Sequence, residues 1–202
     1  MQIILASDSP RRKQLLALMG LEFKAMSHRV DEKIFSVKDP EELVGQLAIV
    51  KALSVSGNLV IASDLVVSLG NKIMGKPKNK KQAREFLKDL SGKTHRVWCG
   101  ICVSNKDKTL MSVAVSQVKM KKYSDEIIEK YIKKFQVLDK GGAYAIQFEL
   151  AGYGSLVASF KGGITTIIGL PLDHLENLLN EFGVKVKSDW RKKCKIETGY
   201  EY

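Results

Sequence analysis

The segment Ile3-Ile4-Leu5-Ala6-Ser7-Asp8-Ser9-Pro10-Arg11-Arg12 predicts a strand that runs directly into a helix. Its first four residues form an apolar run, and leucines recur at helical spacing beyond Arg12. Ser9 is expected to be the N-cap, Pro10 the first helical residue and Gly20 the stop. A strand joined to a capped helix in this way is a unit of mixed α/β folds.

Two arginines in the first turn of this helix are unusual. Arg11 and Arg12 would lie at the positive end of the helix dipole, where a cation is unfavourable by up to roughly 1 kcal/mol. Helix N–H groups, the Ser9 hydroxyl and two guanidinium groups together favour a polyanion, and a phosphate chain fits best. The alternative is a capped surface helix with two solvated arginines, and this segment alone does not decide between them.

The rest of the chain shows the same alternation of strand and helix patterns. Asp39-Pro40 is expected to begin the second helix. The strand at residues 59–69 is expected to be interrupted at Ser63-Asp64. Together the patterns predict a mixed α/β fold with a central sheet and helices around it. Strands are predicted at residues 2–6, 23–26, 59–69, 94–104, 109–120, 155–160 and 164–168, and helices at 10–20, 40–56, 80–90, 124–134 and 172–182.

The 202-residue chain carries a formal net charge of +11, and its calculated pI is about 9.5. Such a field attracts nucleic acid, acidic membrane or phosphorylated small molecules, although scattered lysine is also an ordinary solubilising surface. The basic residues are densest in the tail, at residues 185–195. No apolar run approaches the ~20 residues that cross a bilayer, and no signal peptide is visible, so we expect a cytoplasmic protein.

Three cysteines show no disulfide framework. Cys99 and Cys102 have the C-x-x-C spacing of some redox and zinc sites, but they lie in an apolar strand pattern. No second Cys or His pair accompanies them to complete a zinc site. The cysteines are therefore interpreted as core residues of a protein from a reducing compartment.

Asp64 is the acidic residue that is hardest to explain structurally, because apolar residues precede and follow it. A buried carboxylate needs a cation, backbone donors or a metal. One interpretation is an Asp that caps its own backbone at a sharp turn between two strands. The other is a metal-binding or base carboxylate at the end of a strand.

Other polar residues also lie in unexpected places. Lys51 shares one face of its helix with Val44 and Leu47, so it either extends outward or faces an internal anion. Asp31-Glu32 is a second acidic pair or a solvated surface, and Lys76 lies in a Gly-Lys-Pro turn.

These features occur in order with further short motifs. The motifs are Ala6-Ser7-Asp8-Ser9-Pro10-Arg11-Arg12, Val30-Asp31-Glu32, Lys51-Ala52, Ala62-Ser63-Asp64, Gly75-Lys76-Pro77, Ser91-Gly92-Lys93-Thr94-His95-Arg96-Val97, Asp139-Lys140-Gly141-Gly142-Ala143-Tyr144-Ala145-Ile146-Gln147 and Gly169-Leu170-Pro171-Leu172. In that order they resemble the Maf family of nucleoside triphosphate pyrophosphatases, over about residues 2–183. The resemblance implies a single domain of two lobes over residues 1–187 and leaves the basic tail, residues 188–202, outside the pattern.

The resemblance implies a fold similar to that of inosine triphosphatases, with an elongated mixed sheet, flanking helices and two lobes around a cleft. It implies hydrolysis of a nucleoside triphosphate between the α and β phosphates, with Mg²⁺ or Mn²⁺ as cofactor and a homodimer as assembly. No specific nucleic acid and no membrane is expected as a partner. Such an enzyme would remove unwanted nucleotides from the cellular pool.

By motif position, the resemblance implies that Asp64 is the catalytic aspartate and that Glu32 and Asp64 bind the metal. Oxygen ligands of this kind suit hard divalent cations. Whether Asp64 would act as a general base or as a metal ligand stays open. The residues expected to bind substrate are Ser9, Arg11, Arg12, Glu32, Lys51, Leu65, Lys76 and Gln147.

Within the family, the segment that ends at Gln147 resembles the subgroup that acts on dTTP and UTP. The chain departs from the usual pattern at Leu65, where threonine is common, at Gln136, and at Phe148, where glycine is common. These departures keep open an altered base preference, including a modified pyrimidine, 7-methyl-GTP or another modified purine nucleotide. A further alternative is a non-catalytic nucleotide- or nucleic-acid-binding regulator of cell division.

Overall fold

The computed structural model describes residues 2–28, 30–31 and 37–199. The chain divides into two compact units. The first unit comprises Met1–Asp64, Trp98–Ala114 and Gly163–Tyr202, and the second comprises Leu65–Val97 and Val115–Gly162.

The strands are β1 (Ile3–Ala6), β2 (Phe23–Met26), β3 (Leu59–Leu69), β4 (Lys72–Met74), β5 (Thr94–Ser104), β6 (Thr109–Met120), β7 (Glu149–Leu150), β8 (Gly154–Ser155) and β9 (Val157–Lys161). Seven of them form a sheet in the order β2-β1-β3-β5-β6-β9, with β4 paired to β3. Strand β1 is parallel to both β2 and β3, whereas β4 pairs antiparallel with β3 and β9 pairs antiparallel with β6. The predicted mixed α/β class is therefore confirmed.

Seven α-helices are present in the described part of the chain, and none of them is long and apolar enough to span a membrane. The first begins at Pro10, as predicted, and ends before the left-handed Gly20. They are α1 (Pro10–Leu18), α2 (Pro40–Leu53), α3 (Lys80–Leu90), α4 (Asp125–Lys134), α5 (Ile164–Ile168), α6 (Leu172–Glu181) and α7 (Trp190–Thr198).

Helix α2 is the element that brings a lysine to the sheet. The Asp39 side chain caps it by accepting hydrogen bonds from the N–H groups of Glu41 and Glu42, at 2.7 and 3.4 Å. Gly100 in β5 lets the α2 backbone approach closely, because a Cβ there would lie 2.1 Å from the Val44 carbonyl oxygen. This close approach fixes the distance between α2 and the strands beneath it.

Two strand predictions were wrong. Strand β3 continues through Ser63 and Asp64 without interruption, since both residues lie in the buried middle of the sheet. Residues 164–168 form helix α5 rather than a strand. Its five residues are all buried, and Gly169, at φ +116°, ends it in the left-handed conformation. A short buried run of β-branched residues has no amphipathic period, so sequence alone does not distinguish the two structures.

The described part of the tail outside the family pattern, residues 188–199, contains helix α7. The side chain of Trp190, the first residue of α7, is 1% exposed and donates a hydrogen bond to a Glu176 carboxylate oxygen at 3.1 Å. Just before it, the Ser188 hydroxyl donates to the Leu18 carbonyl at 2.8 Å, at the end of α1. The tail therefore packs against the helix whose first turn carries Arg11 and Arg12.

We predict that Gly100→Ala lowers the free energy of unfolding by about 3 kcal/mol, because the new methyl group would overlap the Val44 carbonyl. The measurement is urea unfolding followed by circular dichroism. Gly75→Ala is the matched control, since a Cβ there meets open space, and it should change stability by less than about 0.5 kcal/mol. Equal stabilities for the two variants would contradict the close packing of α2 on β5.

Candidate functional site

The centre of the candidate site is an ion pair between α2 and β3. The Lys51 Nζ lies 2.5 Å from Asp64 Oδ1, and the two residues are only 1% and 6% exposed. Lys51 therefore faces an internal anion and does not extend outward. The hypothesis that Asp64 caps a sharp turn is wrong, because its backbone belongs to a continuous strand.

Burial makes each charge of this pair depend on the other. Removing two charges from water costs several kcal/mol per ion, and a close partner offsets that cost. Removing one member of such a pair typically costs about 3–5 kcal/mol, because the other charge then lies buried without compensation. The pair therefore holds a charged carboxylate at a fixed position on the sheet, where an exposed aspartate would be mobile.

Elsewhere in the first unit, two polar side chains donate hydrogen bonds to one backbone carbonyl, that of Gly169 at the end of α5. The Arg12 Nε donates to this oxygen at 2.9 Å, and the Ser63 hydroxyl donates to it at 3.0 Å. The Arg12 Nη1 also donates to the Ser7 hydroxyl, at 3.3 Å. Arg12 is thereby tied to the residue that precedes Asp64, and its guanidinium has a fixed orientation.

The start of α1 differs in detail from the prediction. Ser9 is the N-cap residue, but its side chain makes no capping hydrogen bond. Its own N–H donates to the Ser7 hydroxyl at 3.2 Å. Ser7 thus links the backbone at the start of α1 to Arg12, and Ser9 and Arg11 are both half-buried beside this link.

Three other expected substrate residues belong to the second unit. Leu65 follows Asp64 in β3 and lies next to Gly141, where an added Cβ would be 3.0 Å from Leu65 Cδ2. The Lys76 side chain is exposed in a turn whose Gly75 carbonyl accepts a hydrogen bond from Gly142 N–H at 3.2 Å. Gln147 is exposed, and Glu32 lies outside the described residues.

The hydrogen bond between Ser63 and Gly169 was not predicted from the sequence. Ser63 is fully buried in an apolar strand, and a buried hydroxyl requires a hydrogen-bond partner. That requirement was the available signal, but nothing in the sequence identifies the partner.

Burial raises the pKa of the neighbouring Cys99 thiol to about 11, so it stays protonated at neutral pH and is not a thiolate nucleophile.

A polar pocket of about 320 Å³ lies in the second unit but contains none of the predicted site residues. One of its lining residues, His95, is 2% exposed, and its Nε2 lies 2.7 Å from the Tyr144 hydroxyl. Burial lowers the pKa of His95 to about 4, so the imidazole is neutral in the folded protein at pH 7. The pocket is lined by Ser68, Gly70, Thr94, His95, Arg96 and Gln117.

The chemistry of the donors decides whether a hard divalent cation fits. Asp64 offers carboxylate oxygens at a buried, fixed position, which suits Mg²⁺ or Mn²⁺. Within residues 2–28, 30–31 and 37–199, no cluster of three or more His, Cys, Asp or Glu residues could hold a metal by itself. Asp64 can thus supply one oxygen ligand, and Mg²⁺ at phosphate sites usually takes its other ligands from substrate oxygens and water.

Residues 2–182 match the model of the family described as Maf-like protein. The chain belongs to the Maf family. Three curated relatives are each named dTTP/UTP pyrophosphatase. The relatives from Clostridioides difficile and Dictyoglomus thermophilum are 42% and 44% identical, and each match covers 90% of this chain and 95% or 96% of the relative. A relative from Bacillus anthracis is 38% identical, with coverage of 92% and 97%.

Among solved structures, this Maf chain matches the Ham1 protein of Staphylococcus aureus with a TM-score of 0.43 and 16% identity. The match covers 59% of this chain and 72% of the Ham1 chain.

We predict that His95 makes the Maf fold less stable in mild acid. Its folded pKa of about 4 lies below the ordinary 6.5, so the stability is complete above pH 6.5 and is lost as the pH falls towards 4. Between pH 7 and pH 5 the wild type should lose about 2 kcal/mol more than His95→Gln, which does not titrate there. Urea unfolding at the two pH values measures this difference, and equal losses would contradict a buried neutral histidine.

Proposed function

We propose that the chain hydrolyses dTTP and UTP between the α and β phosphates, releasing the nucleoside monophosphate and pyrophosphate. The observation that carries the proposal is the buried Lys51–Asp64 pair, because it provides a fixed carboxylate beside a fixed cation. The names of the relatives support the substrate class over 7-methyl-GTP, since three matches that each cover at least 90% of the chain are dTTP/UTP pyrophosphatases.

In the proposed reaction Asp64 orients the attacking water and accepts its proton. Phosphoryl transfer requires alignment and charge neutralisation more than covalent catalysis, so a carboxylate in one position is well suited to it. Lys51 contacts the buried Asp64 carboxylate at 2.5 Å and adds positive charge near the phosphates. A bound Mg²⁺ or Mn²⁺, held by Asp64 and Glu32, would supply Lewis-acid charge neutralisation.

The start of α1 is proposed to hold the phosphate chain. Arg12 and Arg11 supply guanidinium groups, and Ser9 supplies a hydroxyl that is not used in capping the helix. A helix N-terminus is a favourable place for a phosphate, because its first N–H groups point outward and its dipole is positive there. Since Arg12 is already bonded to Gly169 and Ser7, it needs little ordering when it binds substrate.

Motif position assigns the remaining substrate residues. Lys76 would bind a phosphate oxygen, and Leu65 would provide an apolar contact to the nucleoside. The Gln147 amide, with two donors and one acceptor, would recognise the pyrimidine edge. We further propose a cytoplasmic homodimer in which the catalytic domain is residues 1–187 and the tail supports α1.

We predict that Asp64→Asn lowers kcat for dTTP by at least about a hundredfold, because an amide does not accept the proton from water. Release of pyrophosphate from dTTP and UTP, in the presence of Mg²⁺, measures the change. Asp107→Asn is the matched control, since Asp107 lies in an exposed turn, and it should retain wild-type turnover.

Asp64→Asn also removes the negative charge that compensates the buried Lys51, so folding of the variant is checked separately by circular dichroism. A second measurement is the binding of the non-hydrolysable analogue α,β-imido-dUTP, which Asp64→Asn should retain because a negative charge has been removed from a phosphate site. Full turnover by the folded variant would overturn the role of Asp64. Absence of pyrophosphate release by the wild type from either nucleotide would overturn the proposed function.

A further inference from the structure

An aromatic cluster in the second unit surrounds the segment that presents Gln147. The rings of Phe135 and Phe148 are stacked, with centroids 4.4 Å apart and planes at 16°. Tyr131 lies against both, with centroids 4.9 Å from Phe135 and 6.3 Å from Phe148. Phe148 therefore anchors its part of the chain to Tyr131 in α4 and to Phe135, the residue that ends that helix.

A buried lysine covers the Phe148 ring. Lys140 is 5% exposed, and its Nζ lies 4.8 Å from the centre of that ring. The same ammonium donates to the Gln136 carbonyl and to Asp139 Oδ1, each at 2.6 Å. An ammonium and the face of an aromatic ring attract each other electrostatically, and this attraction is stronger when the two groups are shielded from water.

The backbone on the other side of Gln147 is fixed as well. The Tyr131 hydroxyl accepts a hydrogen bond from Ala145 N–H at 3.1 Å and donates to the Ala145 carbonyl at 3.4 Å. Phe148 N–H donates to the same carbonyl, also at 3.1 Å. The Ile146 side chain is buried, whereas Gln147 itself is exposed. An exposed amide thus lies between two residues that are both anchored to α4.

We propose that Phe148 is a positioning residue that orders Gln147 for recognition of the nucleobase. This inference rests on the proposed function, in which the Gln147 amide contacts the base. Because a side chain between two anchored neighbours has few backbone conformations, its amide loses little freedom when it binds. Specificity for the pyrimidine then depends on an aromatic stack that does not touch the substrate.

The test compares Phe148→Leu with Phe148→Tyr. Leucine keeps an apolar side chain but removes the ring that stacks on Phe135 and lies under Lys140, whereas tyrosine keeps both contacts. The control is Phe182→Leu in the first unit, where Lys108 Nζ lies 5.4 Å from the ring centre. This control removes a half-buried phenylalanine under a lysine at a place that the proposal does not involve.

Steady-state pyrophosphate release from dTTP and dCTP gives kcat and KM for each protein. For Phe148→Leu we expect KM for dTTP to rise about fivefold and the preference for dTTP over dCTP to fall about fivefold, with kcat within about twofold. Phe148→Tyr and Phe182→Leu should keep the wild-type preference. Partial unfolding alone would lower the rates for dTTP and for dCTP equally and leave the ratio of the two rates unchanged. The dTTP-to-dCTP ratio therefore distinguishes a positioning role from a loss of stability.

Amide hydrogen exchange provides a readout that is independent of activity. Phe148→Leu should accelerate exchange at residues 146–148, and Phe148→Tyr should not. Unchanged exchange, or an unchanged dTTP preference in Phe148→Leu, would overturn the proposal.

Gln147→Ala separates this inference from the proposed function. If the wild type hydrolyses dTTP and Gln147→Ala keeps the preference, the positioning role is wrong and the pyrophosphatase activity stands. If the wild type releases no pyrophosphate from dTTP or UTP, the proposed function itself is wrong.

Discussion

The attraction between Lys51 and Asp64 is the interaction on which the account of the site depends. Both charges are buried in the first unit, so neither is stable there without the other. Their contact requires α2 to lie close to the sheet, and Gly100 allows that approach. A requirement of local packing and a requirement of charge compensation thus meet at the same place. The carboxylate that results is shielded and oriented, and the proposed activation of a water molecule needs both properties.

The carbonyl of Gly169 also links separate elements of the first unit, through hydrogen bonds instead of an ion pair. Gly169 is left-handed at φ +116°, a conformation that favours glycine, and its oxygen accepts hydrogen bonds from Arg12 and Ser63. This one oxygen connects the first turn of α1 to the residue before Asp64. The Gly-Leu-Pro-Leu motif therefore has a physical explanation in the first unit, where it orients a guanidinium. The tail helix adds support from the other end of α1, through Ser188.

Much of the fold followed from local patterns in the sequence. Helix α1 was predicted from Pro10, and α2 from the Asp39 cap, because caps and apolar periods are local signals. Lys51 was also identified as unusual on its apolar face. Its pairing with Asp64 was not predicted, since the contact joins a helix to a strand and depends on the packing distance between them. The buried run at 164–168 was assigned to the wrong element because it lacks a period.

The contacts around Gln147 show the same limit. Phe135 and Phe148 stack across 13 positions of sequence with a Gly-rich turn between them, and no periodicity relates them. Trp190 was likewise hidden in a tail that is dominated by charge, although its side chain is among the most buried in the described part of the chain. Long-range packing of large side chains is therefore what the sequence leaves unspecified, while the ordered motifs identify the family.

The most direct test of the central ion pair is a double-mutant cycle on the free energy of unfolding. The cycle uses Lys51→Met, Asp64→Asn and the combined variant, each unfolded in urea at pH 7. We expect each single change to cost about 3–5 kcal/mol, and the combined variant to be more stable than the sum predicts by at least about 2 kcal/mol. Additive effects, within about 0.5 kcal/mol, would contradict the account, because they would mean that the two buried charges do not stabilise each other.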